Sequence, residues 1–158
     1  MYKRILAALD GSRSAHLALE DALKLSRAAD TTVMVASVVA HSLAVYDPAL
    51  AIIQNEASDI ATQDAAQQEL DHALKLCALR KVRAVTQIID AHGVSIPSAI
   101  MQAAQAFEAD LIVMGMSGCR GARRHLLGSV SETVLRSSRV PVLVVRDDAL
   151  DEALAFCQ

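Results

Sequence analysis

The chain has little aromatic character: two Tyr, two Phe and no Trp among 158 residues. Nucleic-acid surfaces ordinarily combine basic side chains with aromatic platforms for the bases. A formal charge of -3 removes the first ingredient as well, so a nucleic-acid partner is disfavoured. The three cysteines, Cys77, Cys119 and Cys157, are widely spaced, odd in number and without a Cys-x-x-Cys pair. They suggest neither a disulfide framework nor a zinc site, and read as free thiols. No apolar run approaches the roughly 18 to 20 residues of a membrane span. Met1-Tyr2-Lys3-Arg4 leads into a strand-like segment without a signal-peptide pattern, so the expectation is a cytoplasmic protein with no membrane partner. Nothing resembles a P-loop lysine motif, a kinase catalytic loop or a cluster of metal ligands.

What is present is a hydrophobic majority, 53% of residues, enough for one domain with a substantial core. Its apolar residues fall into short runs separated by helical patterns. Arg4 to Leu9 is a strand-like run ended by Asp10-Gly11-Ser12, and Val33 to Val39 is a second, rich in β-branched residues. Between them Ala15, Ala18, Leu19, Ala22, Leu25 and Ala29 recur at helical spacing, with Ser12 or Ser14 as N-cap. Asp47-Pro48 opens a long helix that extends to about Leu79, with a break near Ser58-Asp59. Leu70, Leu74 and Cys77 mark its apolar face; Glu69, Asp71 and Lys75 lie on others. Val82 to Ile89 reads as a third strand, and Pro97 to Phe107 as a helix capped by Ser95, with Ile96, Ile100, Ala103 and Ala104 on its apolar side.

Strands alternating with helices imply an α/β domain: a five-stranded, mostly parallel, doubly wound sheet of Rossmann-like type with helices on both faces. In such sheets ligands bind beyond the carboxyl ends of the strands, where the strand order reverses. The residues following the first and fourth strands therefore come first as candidates. The fourth strand, Leu111-Ile112-Val113-Met114, runs into Gly115-x-x-Gly118; nine residues later Gly128-Ser129 opens a helix, and Val140 to Val145 forms a last strand. Glycines at a strand end let backbone amides approach a ligand, and a helix start offers unpaired N–H groups and a positive dipole end. That chemistry suits a phosphate.

The Gly115-x2-Gly118-x9-Gly128-Ser129 pattern, with Ile5 to Ser12 and Pro141 to Val145, resembles the universal stress protein family, and its glycines match that family's ATP-binding signature. The resemblance covers Tyr2 to Arg146 and implies a single domain over residues 1–146, of a fold shared with adenine nucleotide alpha hydrolases; it does not reach the tail over 147–158, where Leu150, Leu154 and Phe156 at approximate helical spacing suggest a short helix. It implies a cytoplasmic, homodimeric protein that binds ATP and acts in stress resistance as a nucleotide-dependent regulator, with at most weak ATP hydrolysis; whether Mg2+ accompanies the nucleotide is left open. Position by position, it places Asp10 on the ribose or adenine, Ala8 and Leu9 beside the base, and Val38 against adenine. Met114, Gly115 and Gly118 then lie along the ribose and phosphates, and Gly128, Ser129, Val130 and Ser131 supply donors to the phosphates. One departure is Met116-Ser117, where the family often carries Ser followed by His or Arg.

Each of these residues also has a purely architectural use. Asp10 can open a turn or cap a helix, Gly115 and Gly118 can serve as turn glycines, and Ser129 or Ser131 as N-caps. Val38 is buried in almost any version of the fold. Arg120, Arg123, Arg124 and His125 can neutralise a triphosphate or face solvent. Cys119 is either an oxidisable thiol among cations or an inert small residue. Asp147, Asp148 and Asp151 read as a solvated helix start.

Three functions stay open: an ATP-dependent regulator, a nucleotide-independent homodimeric interaction protein with an unidentified partner, and an enzyme related by fold alone. Val140 to Val145, apolar and near the chain end, is expected at a sheet edge, where it invites pairing with a second copy.

Overall fold

The computed structural model describes residues 1–26, 30–39, 48–91, 93–116 and 127–147, with side chains from residue 62 onward in the long helix. Its elements alternate as expected: β1 Arg4–Leu9, α1 Arg13–Leu25, β2 Thr32–Val39, α2 Pro48–Leu79, β3 Arg83–Asp90, α3 Ile96–Ala106, β4 Leu111–Gly115, α4 Ser129–Ser137 and β5 Val142–Val145. All strand pairs are parallel, in the order β3-β2-β1-β4-β5. From the central β1 the chain steps outward through β2 to β3, returns to the other side of β1 as β4, and ends at the edge in β5. The expected Rossmann-like sheet is therefore present, and its order reverses between β1 and β4.

The strands are apolar on both sides because both faces are covered. Ile5, Ala7 and Leu9, with Val33, Val35, Leu111 and Val113, pack against α1 and α2. Leu6, Ala8, Met34, Ala36, Ile112 and Met114 pack against α3 and α4. Alternate residues thus serve opposite layers. Ile5, Leu6 and Ile112 are almost fully buried, each contributing roughly 1.5–3 kcal/mol of burial free energy.

Helix starts follow the sequence signals. Ser12 caps α1 by accepting from Ala15 N–H, and Ser95 caps α3 by accepting from Ser98 N–H. Two apolar assignments differ from expectation. Leu25 is exposed and Leu23 is buried, because α1 closes at Leu25. On α2 the buried stripe is Ala66, Leu70, Ala73 and Cys77, with Leu74 exposed. Cys77 and Ala73 both fall on one flank of Leu70, and Leu74 falls on the other, away from the sheet. The α2 backbone runs as one helix through Ser58-Asp59, without the expected break. Among the described residues no helix is long and apolar enough to cross a membrane.

Candidate functional site

The reversal point puts the ends of β1 and β4 side by side. Ala8 is in register with Met114 and, on its other side, with Ala36. Past Leu9 the chain turns through Asp10 and Gly11, whose φ of 77° is a left-handed conformation that favours glycine. Asp10 Oδ1 accepts from Ser12 N–H at 3.0 Å, forming a side-chain turn that leads into the Ser12 cap. The turn role of Asp10 is thus real, and its carboxylate still stands exposed at the tip of the central strand.

Across the reversal, α4 begins at Gly128. The Gly128 N–H donates to Met116 O at 2.8 Å, which ties the helix start to the end of β4. No side chain caps this helix. The first-turn amides of Ser129, Val130 and Ser131 have no acceptor within the helix, and the dipole places positive potential there. Ser131 is buried and its Oγ lies 2.9 Å from Gly115 O and 3.1 Å from Met116 O, so its hydroxyl proton is committed to the β4 exit. What Ser131 offers outward is its backbone N–H.

The candidates separate by face. Ala8, Val38, Met114 and Val130 belong to the cluster on the α3 and α4 side, Ala8 and Met114 as buried members and Val38 and Val130 as partly buried ones packed against it. Leu9 is buried on the opposite side, among α1 and α2, and has only its backbone to present at the strand tip. Gly115 also faces α1: a Cβ there would lie 2.4 Å from Ser14 Oγ and 2.8 Å from Ala15 N. Its lack of a side chain is required by the approach of α1, a role beyond that of a turn glycine. Gly118, Cys119, Arg120, Arg123, Arg124 and His125 lie outside the described residues, as do Asp148 and Asp151. Asp147 is not simply solvated: its carboxylate is mostly covered and pairs with Arg13 Nε at 3.3 Å.

Sequence reasoning missed Glu69. It lies on α2 off the buried stripe, yet its Oε1 accepts from Gly11 N–H at 2.8 Å and sits 3.6 Å from His16 Nε2. Burial raises the Glu69 pKa, opposed first by the Gly11 N–H and then by His16, while Asp10 pushes in the same direction as burial. No local signal could have found it, since 58 residues separate it from Gly11. Cys77, buried in α2, has its thiol pKa raised by burial, which favours the unreactive protonated form. Among the described residues no three His, Cys, Asp or Glu side chains are grouped to hold a metal ion.

The apolar side chains of Ala8, Val38 and Met114, an exposed carboxylate and an uncapped helix start thus all lie at the carboxyl end of the sheet. They are suited to a ligand with a flat apolar part, hydroxyl groups and an anionic end.

The universal stress protein family model matches residues 1–146. A universal stress protein of Methanocaldococcus jannaschii is 32% identical over 147 residues, covering 92% of this chain and 83% of its own. The solved universal stress protein UspA of Lactobacillus plantarum is similar with a TM-score of 0.80 and 25% identity, covering 92% of this chain and 98% of that one. Two more distant structures share the fold and hold nucleotides. One is a universal stress protein in complex with cAMP (TM-score 0.63, 22% identity, 92% and 97% covered). The other is a family protein from Arabidopsis thaliana with AMP bound (TM-score 0.63, 17% identity, 94% and 94% covered). With the family model spanning the whole sheet, from before β1 to past β5, and a relative this similar along the same length, the chain belongs to the universal stress protein family.

Proposed function

We propose that this chain is an ATP-binding universal stress protein that works in the cytoplasm as a nucleotide-dependent regulator in the stress response. The observation that carries the reading is the placement of three complementary groups at the carboxyl ends of the strands, about the β1–β4 reversal. Ala8, Val38 and Met114 offer apolar side chains to adenine, Asp10 accepts from ribose hydroxyls, and the amides of Ser129, Val130 and Ser131 face the phosphates. A carboxylate suits hydroxyl donors and repels phosphate, which fixes the direction in which the nucleotide lies. The bound AMP and cAMP of two structural neighbours support an adenine nucleotide as the ligand class. Gly118, outside the described residues, is assigned to the phosphate side by the family pattern alone.

The proposal extends to one domain over residues 1–146 and a homodimer. β5 is an edge strand with four half-buried apolar residues, and its free edge is where a second copy would add. Any hydrolysis is weak, because Asp10 is assigned to ribose and among the described residues no metal-ligand group stands by to activate a water.

Mass spectrometry of nucleotide released from the purified protein, followed by ATP titration calorimetry, tests the reading. Wild type is expected to bind ATP, and Asp10→Ala to weaken it about tenfold through the lost ribose acceptor. Failure of wild type to bind at millimolar ATP, in a protein that light scattering shows to be dimeric, would leave the nucleotide-independent interaction protein as the better reading.

A further inference from the structure

The turn that presents Asp10 is held from outside its own sequence. Gly11 stands in the left-handed region, with a φ of 77°, and has no side chain to fix it there. Its N–H points to α2, where Glu69 Oε1 accepts it at 2.8 Å. On the other side of the turn, His16 Nδ1 lies 2.8 Å from Ser12 O. A carbonyl only accepts, so Nδ1 carries the proton, and this fixes the ring with Nε2 turned to Glu69 at 3.6 Å. Asp10 itself is fixed by the bond from Ser12 N–H to Oδ1. Glu69 is therefore the point where α2, the Gly11 backbone and the first turn of α1 converge.

Packing does not call for a carboxylate at this place. The α2 face toward the sheet is made by Ala66, Leu70, Ala73 and Cys77. Glu69 stands beside that stripe with its side chain only 13% exposed, so its charge is held in a desolvated place and stabilised by a bond to one backbone amide. That amide belongs to the residue after Asp10.

We propose that Glu69 is a positioning residue for nucleotide binding: by holding the Gly11 amide it fixes the turn in the form that presents Asp10 at the end of β1. The inference rests on the nucleotide reading above. Glu69 acts through Asp10, so its contribution to affinity should vanish when the Asp10 carboxylate is absent.

The test is ATP titration calorimetry on the full chain for wild type, Glu69→Ala, Glu69→Gln, Asp10→Ala and the Asp10→Ala/Glu69→Ala double variant, with thermal melts without nucleotide to confirm folding. Glu69→Ala should weaken ATP about tenfold, whereas Glu69→Gln, whose amide oxygen can still accept from Gly11, should stay within about threefold of wild type. In the Asp10→Ala background, Glu69→Ala should change affinity less than about twofold. Full multiplication of the two losses, or a Gln variant as weak as the Ala variant, overturns the positioning role, as does a folded Glu69→Ala protein that binds like wild type. Wild type that fails to bind ATP overturns the nucleotide reading itself, and amide exchange at Gly11 tells the two failures apart. Faster exchange in Glu69→Ala and protection restored in Glu69→Gln would show the turn held as described, with only its ligand wrong.

Discussion

The two ends of the sheet are built in opposite ways. At the amino end, the entries to neighbouring strands close on each other through polar side chains. Asp110 takes the N–H groups of Lys3 and Arg4 at 2.7 and 3.0 Å, and Thr31 Oγ1 donates to Tyr2 O at 2.9 Å. Arg4 Nη1 donates to Phe107 O and to Glu108, with its guanidinium 5.8 Å from the Phe107 ring centre. At the carboxyl end the chain relies on glycine and on a tether from α2 instead. Gly11 is held by Glu69, Gly115 makes room for α1, and α4 starts without a side-chain cap. The amino end uses its polar groups on itself; the carboxyl end leaves an amide set and a carboxylate facing outward. Changes at the first should therefore alter stability alone, and changes at the second should alter ligand binding.

Gly115 is where this division should break most visibly, because it lies at the carboxyl end and is needed for packing. A methyl group at that position meets the backbone nitrogen of Ala15 at 2.8 Å, which no rotamer change can relieve. Gly115→Ala should destabilise by about 3 kcal/mol, the upper range for overpacking, measured by urea unfolding. It should also weaken ATP, since the displaced β4 exit carries Met116 O, the acceptor that positions the start of α4. A loss of ATP affinity without a loss of stability would show that the missing Cβ serves the ligand and that α1 can shift.

Asp110→Ala is the matching change at the amino end. It removes the acceptor of two backbone donors at the entry to β1. These donors can turn to water, so the expected loss is about 1 to 2 kcal/mol in urea unfolding, below the full value of two charge-assisted bonds. ATP affinity measured on the folded fraction should match wild type. A Kd raised severalfold with stability intact would mean that the two ends are coupled along β1.

The contrast also explains what could be read from the chain without coordinates. The strands were legible because burial on both faces demands unbroken apolar runs, and α1 and α3 were legible from Ser12 and Ser95, whose hydroxyls sit where a cap must be. The reversal point followed from the alternation of elements, and with it the proximity of Asp10 to the β4 exit. Three features depended on placement in space. Glu69 belongs to a helix whose own pattern assigns it to a solvated face, and only the descent of α2 past β1 brings it to Gly11. Asp147 reads as part of an acidic tail until the end of β5 is found beside the start of α1, where Arg13 waits. Gly115 reads the same in a turn for a ligand as in a close approach of a helix; which applies depends on where Ser14 lies. Local chemistry was visible in the sequence, and partners that meet only through topology were not.

The smallest effect expected concerns pH. Burial raises the Glu69 pKa in the folded chain above its ordinary value, so the folded state takes up this proton more readily than the unfolded one. The linkage then has a definite sign. Stability associated with the protonated carboxyl is fully present below the unfolded pKa and is lost as pH rises from there through the raised folded value. Glu69→Gln removes this titration. The variant should therefore show a flatter dependence of urea midpoint on pH above the ordinary glutamate range, and be at least as stable as wild type at neutral pH. A carboxylate that lowers stability at neutral pH, retained one bond from the Asp10 turn, fits the carboxyl end as the place where the fold gives up stability for binding. If wild type and Glu69→Gln trace parallel pH profiles, Glu69 contributes nothing to that difference and the ends diverge through Gly115 and α4 alone.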